Sequence, residues 1–141
     1  MWKHVYHKNY ENVSAQAIWD LWANVNAWPA WHHNLEFCKL NGSFAVNSSF
    51  VLKPKNMGPV TITITTLTQG VSFTDCTPFF GAKMYDIHEL QETPNGLCIK
   101  NTIYVTGPLA WVWRKLVAEK VAYSIPEKID ALVTLARKEH E

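Results

Sequence analysis

The sequence predicts an α+β fold in which one antiparallel sheet of six or seven strands curves around a single long C-terminal helix, with two short helices after the first strand. Three observations carry this. Short apolar-alternating segments outnumber helical ones, the connections between them are brief and rich in Gly, Pro and Asn, and only one segment, from Pro108 to about Arg137, has helical periodicity long enough to cross a sheet.

Lys3 to Tyr10 reads as the first strand, and Ser14 as the N-cap of a helix whose buried stripe is Ile18, Leu21, Trp22 and Val25. The Asn26-Ala-Trp-Pro29 stretch ends that helix and starts a short second one, since proline is tolerated in a first turn but not in an interior. Strands follow at Leu35 to Asn41, Ser48 to Lys53, Val60 to Thr68 and Val71 to Thr77, separated by the turns Asn41-Gly42, Lys55 to Pro59 and Gln69-Gly70. Within the last of these strands Val71, Phe73 and Asp75 alternate onto the inner face.

The segment MYDIHELQETPNGLCIKNTIYV, residues 84 to 105, supplies the final hairpin around the turn Thr93-Pro94-Asn95-Gly96. Setting Glu92 opposite Leu97 fixes the rest: Leu90 faces Ile99, His88 faces Asn101, Asp86 faces Ile103 and Met84 faces Val105. On the other face Glu89 meets Lys100 and Tyr85 meets Tyr104, favourable pairs that support this register over a one-residue slip. An apolar inner face thus carries three polar groups, Asp86, His88 and Asn101. Two readings are open: partly exposed polar residues near a strand end, or a polar spot inside an apolar cavity.

The terminal helix places Leu109, Trp113, Leu116, Val117 and Val121 on one face with Arg114, Lys115 and Glu119 off it, and Pro126 is expected to kink or interrupt it.

Composition narrows the functions. The 141 residues form one domain, 1–141, able to bury roughly two thirds of the surface of its unfolded chain. Thirteen basic against twelve acidic residues leave no electrostatic footprint for nucleic acid. No run of ~18 apolar residues suggests an integral membrane segment, and the start of the chain lacks the pattern of an export signal. Cys38, Cys76 and Cys98 form no metal-like or CxxC cluster and read as reduced packing thiols, which suits a cytoplasmic protein. The spacings of His4 and His7 and of His32 and His33 do not suit a zinc site, and neither a metal nor a cofactor is expected. Seven tryptophans offer large amphipathic surfaces for a core or for a ligand pocket, and Trp111 with Trp113 reads as a buried helix start.

Three segments, SAQAIWDLWANVNAWPAWHHNLEF, SFTDCTPFFGAKMYDIHEL and NGLCIKNTIYVTGPLAWVWRKL, resemble the polyketide cyclase/dehydrase-like branch of the START and Bet v 1-like (SRPBCC) helix-grip superfamily. The resemblance runs from Val13 to Leu135 and is clearest at Trp19, Trp28-Pro29-Ala30-Trp31, His88-Glu89-Leu90, Gly96 and Thr106-Gly107-Pro108-Leu109-Ala110. It implies a helix-grip fold enclosing a ligand cavity, in a superfamily that holds lipid and hormone carriers as well as aromatase/cyclases. Asn24 and Asn101 depart from it, standing where relatives commonly carry Asp and His, and each departure removes a titratable group.

The expected site joins Asp75, Asp86, His88 and Asn101 with Trp28, Trp31 and Trp113 around a small or medium hydrophobic ligand such as a lipid, isoprenoid or aromatic polyketide. The alternative is a cyclase or dehydratase-like enzyme with His88 and Asp86 as its acid/base pair, because a carboxylate beside an imidazole can move a proton next to a bound carbonyl. A third reading is a protein-interaction module with a partner the sequence does not name.

Overall fold

The computed structural model describes residues 1–139. Seven strands form one antiparallel sheet: β1 (Lys3–Tyr10), β2 (Leu35–Leu40), β3 (Ser49–Pro54), β4 (Val60–Thr68), β5 (Ser72–Phe79), β6 (Ala82–Thr93) and β7 (Gly96–Thr106). Their spatial order is β1-β7-β6-β5-β4-β3-β2, so the two strands that come first in the chain occupy the two opposite edges. Helix α1 (Ala15–Ala23) and a 3₁₀ segment (Val25–Ala30) lie between them in sequence. Ser14 caps α1 by accepting a hydrogen bond from the Ala17 amide at 3.1 Å, satisfying one of the first-turn donors that have no intrahelical partner.

The β6–β7 register is the one the sequence predicts, from Met84 opposite Val105 through His88 opposite Asn101 to Glu92 opposite Leu97. Pairing continues to Thr93 opposite Gly96, which leaves Pro94-Asn95 as the turn itself. On the outer face the Tyr85 and Tyr104 rings stack at 4.9 Å. Strand β5 pairs in turn with β6, setting Phe73 opposite His88 and Asp75 opposite Asp86.

The helical run covers one face of this sheet. Ala110–Trp113 (α2) passes through a π-helical segment, Arg114–Ala118, into α3 (Glu119–Glu139), whose buried side is Ala122, Ile125, Ile129, Leu132, Val133 and Ala136. These residues complete a core with Trp19, Phe50, Phe73, Ile99 and Ile103 from the other elements.

Four expectations are corrected. Helix α3 continues through Pro126, and the irregularity lies two turns earlier, in the π segment. Proline removes one donor, but neighbouring turns packed on the sheet hold the helix together across the gap. Val71 lies outside β5 and is 48% exposed, because the alternation that buries Phe73 and Asp75 starts only where pairing to β6 begins. Trp111 is 68% exposed, so only Trp113 of that pair packs inward, stacked on Phe79. Leu116 is likewise mostly exposed.

Among the described residues no helix is long and apolar enough to cross a membrane.

Candidate ligand cavity

The space between the sheet and the terminal helix is not completely filled. A cavity of about 270 Å³ remains there. Its apolar walls come from the sheet through Ile62, Met84 and Ile99, from the helical run through Val117, Val121 and Leu132, and from α1 and the segment after it through Trp22, Trp28 and Trp31. The tryptophans are locked in place: Trp28 donates its indole N–H to the Trp22 carbonyl at 3.0 Å and meets Phe50 edge-on at 5.2 Å.

The polar group sits on three adjacent strands. Alternation on β5, β6 and β7 sends Asp75, Asp86, His88 and Asn101 to the same inner face, where all four line the cavity. The side chains of Asp75, Asp86 and His88 are only 8%, 14% and 12% exposed, so little solvent screens their charges. His88 Nε2 lies 3.2 Å from Asp75 Oδ2 and 3.4 Å from Asp86 Oδ1. Asn101 donates its side-chain amide to Asp86 Oδ1 and, at 3.2 Å, to the Ile87 carbonyl. The imidazole is held from its faces as well, stacked on Phe73 at 4.2 Å and met edge-on by Trp22 at 5.4 Å.

Asp75 and Asp86 stand directly opposite each other across the ladder, where like charges repel, and burial makes Asp75 expensive to ionise. The arrangement answers this by sharing protons. Burial pushes the Asp75 carboxyl up to about 6, a rise that its hydrogen bond to His88 opposes and the charge of Asp86 reinforces. Burial alone would strip the proton from His88, yet the charges of Asp86 and Asp75 and the hydrogen bond to Asp75 outweigh it and raise its affinity. Asp75, Asp86 and His88 each bring one donor atom within 4.8 Å of the others, donor types suited to a divalent cation, and the hydrogen bonds among them account for the arrangement without one.

Lys128, which sequence reasoning missed, also lines the cavity from α3. It occupies the helix face of Val121, Ser124 and Leu132, so it is a charged residue on the stripe that faces the sheet. Burial lowers its proton affinity, and the charges of Asp86 and Asp75 act in the opposite direction. The signal was present in the sequence as a lysine at helical spacing from Val121 and Leu132, where a stripe residue should be apolar. His32, also missed, lines the cavity as a neutral imidazole, its pKa pushed down to about 3 by burial and by the charge of Lys128.

Of the residues expected in the site, Trp28 and Trp31 line the cavity, whereas Trp113 does not. Its ring stacks on Phe79 at 4.4 Å and its N–H donates to the Phe80 carbonyl at 2.7 Å, which anchors α2 to the β5–β6 turn.

No protein-family model matches the chain, and no curated protein matches it by sequence. Solved structures do match it. Norcoclaurine synthase from Thalictrum flavum, in complex with dopamine and hydroxybenzaldehyde, superposes with a TM-score of 0.70 at 15% identity over 99% of this chain and 89% of that one. The fold is the helix grip, a curved antiparallel sheet closed by a long C-terminal helix. A hypothetical protein from Helicobacter pylori shares this helix grip with a TM-score of 0.77 at 11% identity, over 96% of this chain and 88% of that one. The di-domain ARO/CYC StfQ from the steffimycin biosynthetic pathway shares it too, with a TM-score of 0.76 at 8% identity; 98% of this chain matches 52% of that larger one. At these identities the helix grip carries an architecture from one protein to another and leaves the chemistry to each chain's own residues.

Proposed function

We propose that the protein binds a small hydrophobic molecule bearing one polar end, of the isoprenoid, lipid-fragment or aromatic polyketide kind, inside the cavity between the sheet and the terminal helix. The observation that carries this reading is the placement of Asp75, Asp86, His88 and Asn101 on an otherwise apolar wall. Apolar surface supplies affinity without direction, and a few convergent polar groups fix orientation. Size limits the ligand. At about 270 Å³ the cavity lies near the small end of the roughly 300–1,000 Å³ usual for small-molecule sites, which suits a ligand of one or two rings or a short chain. That one structural neighbour was solved with dopamine and hydroxybenzaldehyde, and another is an ARO/CYC, supports a ligand of this size and apolarity.

The test is native mass spectrometry of protein purified from its own source, with titration of a neutral fluorescent probe such as N-phenyl-1-naphthylamine. A retained apolar molecule or 1:1 probe binding is expected. An empty protein that takes up no probe would overturn the reading and favour an interaction module.

A second reading is acid/base catalysis of the cyclase or dehydratase type, and the Asp75–His88 contact favours it. A carboxyl whose proton affinity burial raises to about 6, hydrogen-bonded to an imidazole whose proton affinity is also raised, both at the floor of a cavity, is an arrangement suited to proton transfer to or from a carbonyl-bearing ligand.

A further inference from the structure

Lys128 is placed for chemistry that neither reading assigns to it. Lys53 lies 2.6 Å from Glu36 and Lys8 lies 3.4 Å from Asp130, both pairs outside the cavity. Among the described residues Lys128 makes no such pair within 4.0 Å and no hydrogen bond, although Asp75 and Asp86 lie across the same cavity, near enough for their charges to act on it. Its neighbours along the stripe, Val121 and Leu132, offer no partner either. An amine therefore faces a carboxyl–imidazole cluster across an apolar gap, and the gap belongs to the ligand space.

We propose that Lys128 is a nucleophilic amine that captures the carbonyl of an apolar aldehyde or ketone as an imine, with the Asp75–His88 pair supplying and receiving the protons. This rests on the reading of the cavity as a site for hydrophobic ligands, and it narrows the ligand to a carbonyl compound.

The electron and proton balance closes within the cavity. The Nζ lone pair attacks the carbonyl carbon, forming a C–N bond while the π pair moves to oxygen, which takes a proton from the Asp75–His88 pair. Nζ then returns a proton to that pair. The hydroxyl takes a second proton from the pair and leaves as water as the C=N bond forms, and the protonated imine nitrogen gives that proton back, so amine and carbonyl give imine and water with no oxidant or reductant. Attack needs the neutral amine, and burial biases Lys128 towards that form. Loss of water needs an acid nearby, and Asp75 and His88 hold protons on the opposite wall.

The experiment uses the whole protein, benzaldehyde as the carbonyl probe and cyanoborohydride to reduce any imine to a stable benzylamine, followed by peptide mass mapping. Lys120 is an internal control, because it also lines the cavity but is exposed. Lys128 should be benzylated at least about tenfold faster than Lys120 or any other lysine, and pre-loading with N-phenyl-1-naphthylamine should suppress the reaction at Lys128 alone. Lys128→Arg, which keeps the charge and cannot form this imine, should lose the fast label while still binding the probe. If the probe binds but benzylation spreads evenly over the exposed lysines, Lys128 has no special reactivity and the proposal fails while the cavity reading stands. If wild type binds no probe, the cavity reading fails and takes this proposal with it.

Discussion

His88 directs one ring nitrogen, Nε2, to within 3.2 Å of Asp75 Oδ2, a diagonal contact between neighbouring strands, while Phe73, which stands directly opposite His88, stacks on its ring. One nitrogen carries one proton. The pair therefore stores a proton between two groups that both hold it to higher pH in the folded protein than in the unfolded chain.

That storage gives stability a direction with pH. His88, with its affinity raised, contributes stability that is complete below about 6.5 and lost as pH rises through its folded value. Asp75, raised from 3.8 to about 6, favours the folded state less and less across that interval as its proton leaves. Both slopes point the same way: wild type should lose stability between about pH 4 and pH 8 relative to the double variant Asp75→Asn/His88→Gln. Denaturation midpoints of the two proteins across this range check it, since effects of carboxylates outside the cluster cancel in the difference. Lys128, shifted down from 10.5, acts with opposite sign and in a more alkaline window.

His88→Gln separates a carrier from an enzyme. Glutamine keeps a hydrogen-bonding end but cannot titrate, so a carrier should keep probe affinity to within about fivefold, the worth of one altered neutral hydrogen bond. An enzyme should lose ~100- to 10,000-fold in turnover with binding intact. The comparison is made on whichever ligand native mass spectrometry recovers.

Asn101→Leu removes the amide that serves both Asp86 and the Ile87 carbonyl while filling the same space. A buried carboxylate left short of a donor costs about 1–3 kcal/mol, and the urea midpoint should fall accordingly. Asn101→Asp should be worse, because it sets a third carboxylate beside Asp75 and Asp86.

Ser124→Trp projects an indole from the helix into the cavity without touching the polar cluster's own residues. Probe affinity should drop by about tenfold or more through lost space, with the denaturation midpoint nearly kept because Ser124 borders space rather than packed side chains. Unchanged probe binding would place the bound probe elsewhere on the protein.

Gly107→Ala tests how the helix is attached. Gly107 has φ +108, and a Cβ there would stand 2.6 Å from the Gly81 carbonyl oxygen, the same oxygen that accepts from the Leu109 amide. Strain at a left-handed position and a displaced backbone contact should together cost about 1–3 kcal/mol, read as a lower thermal midpoint.

The cluster was legible in the sequence because a strand exposes its residues with period two. Once Glu92 faces Leu97, the positions of Asp86, His88 and Asn101 follow, and Asp75 joins them through the same alternation on β5. The helix was harder to read. A lysine in a helix ordinarily extends to water, so the single charged place at 128 on the inner stripe did not stand out from the solvated face. Trp111 and Trp113 show the same difficulty, since a π turn shortly after them shifts the phase by which an apolar residue would be assigned inward or outward. Pro126 was overweighted because its local cost was visible in the sequence and the packing that offsets it was not.

The placement of β1 beside β7 bears on how the chain reaches this architecture. Lys3 pairs with Tyr104, so β1 must wait until β7, the last strand of the sheet in chain order, has been made before it has a ladder to join. The strands from β2 to β7 each find an antiparallel neighbour that is also their neighbour in sequence, and the carboxyl–imidazole cluster needs only β5, β6 and β7. Its floor can thus be laid by local hairpins while β1 is still unpaired and before the residues that roof it, including Lys128, have been synthesised. Closing the apolar face of the sheet joins β1 to β7 and to α3, contacts of high sequence separation that local hairpins cannot supply.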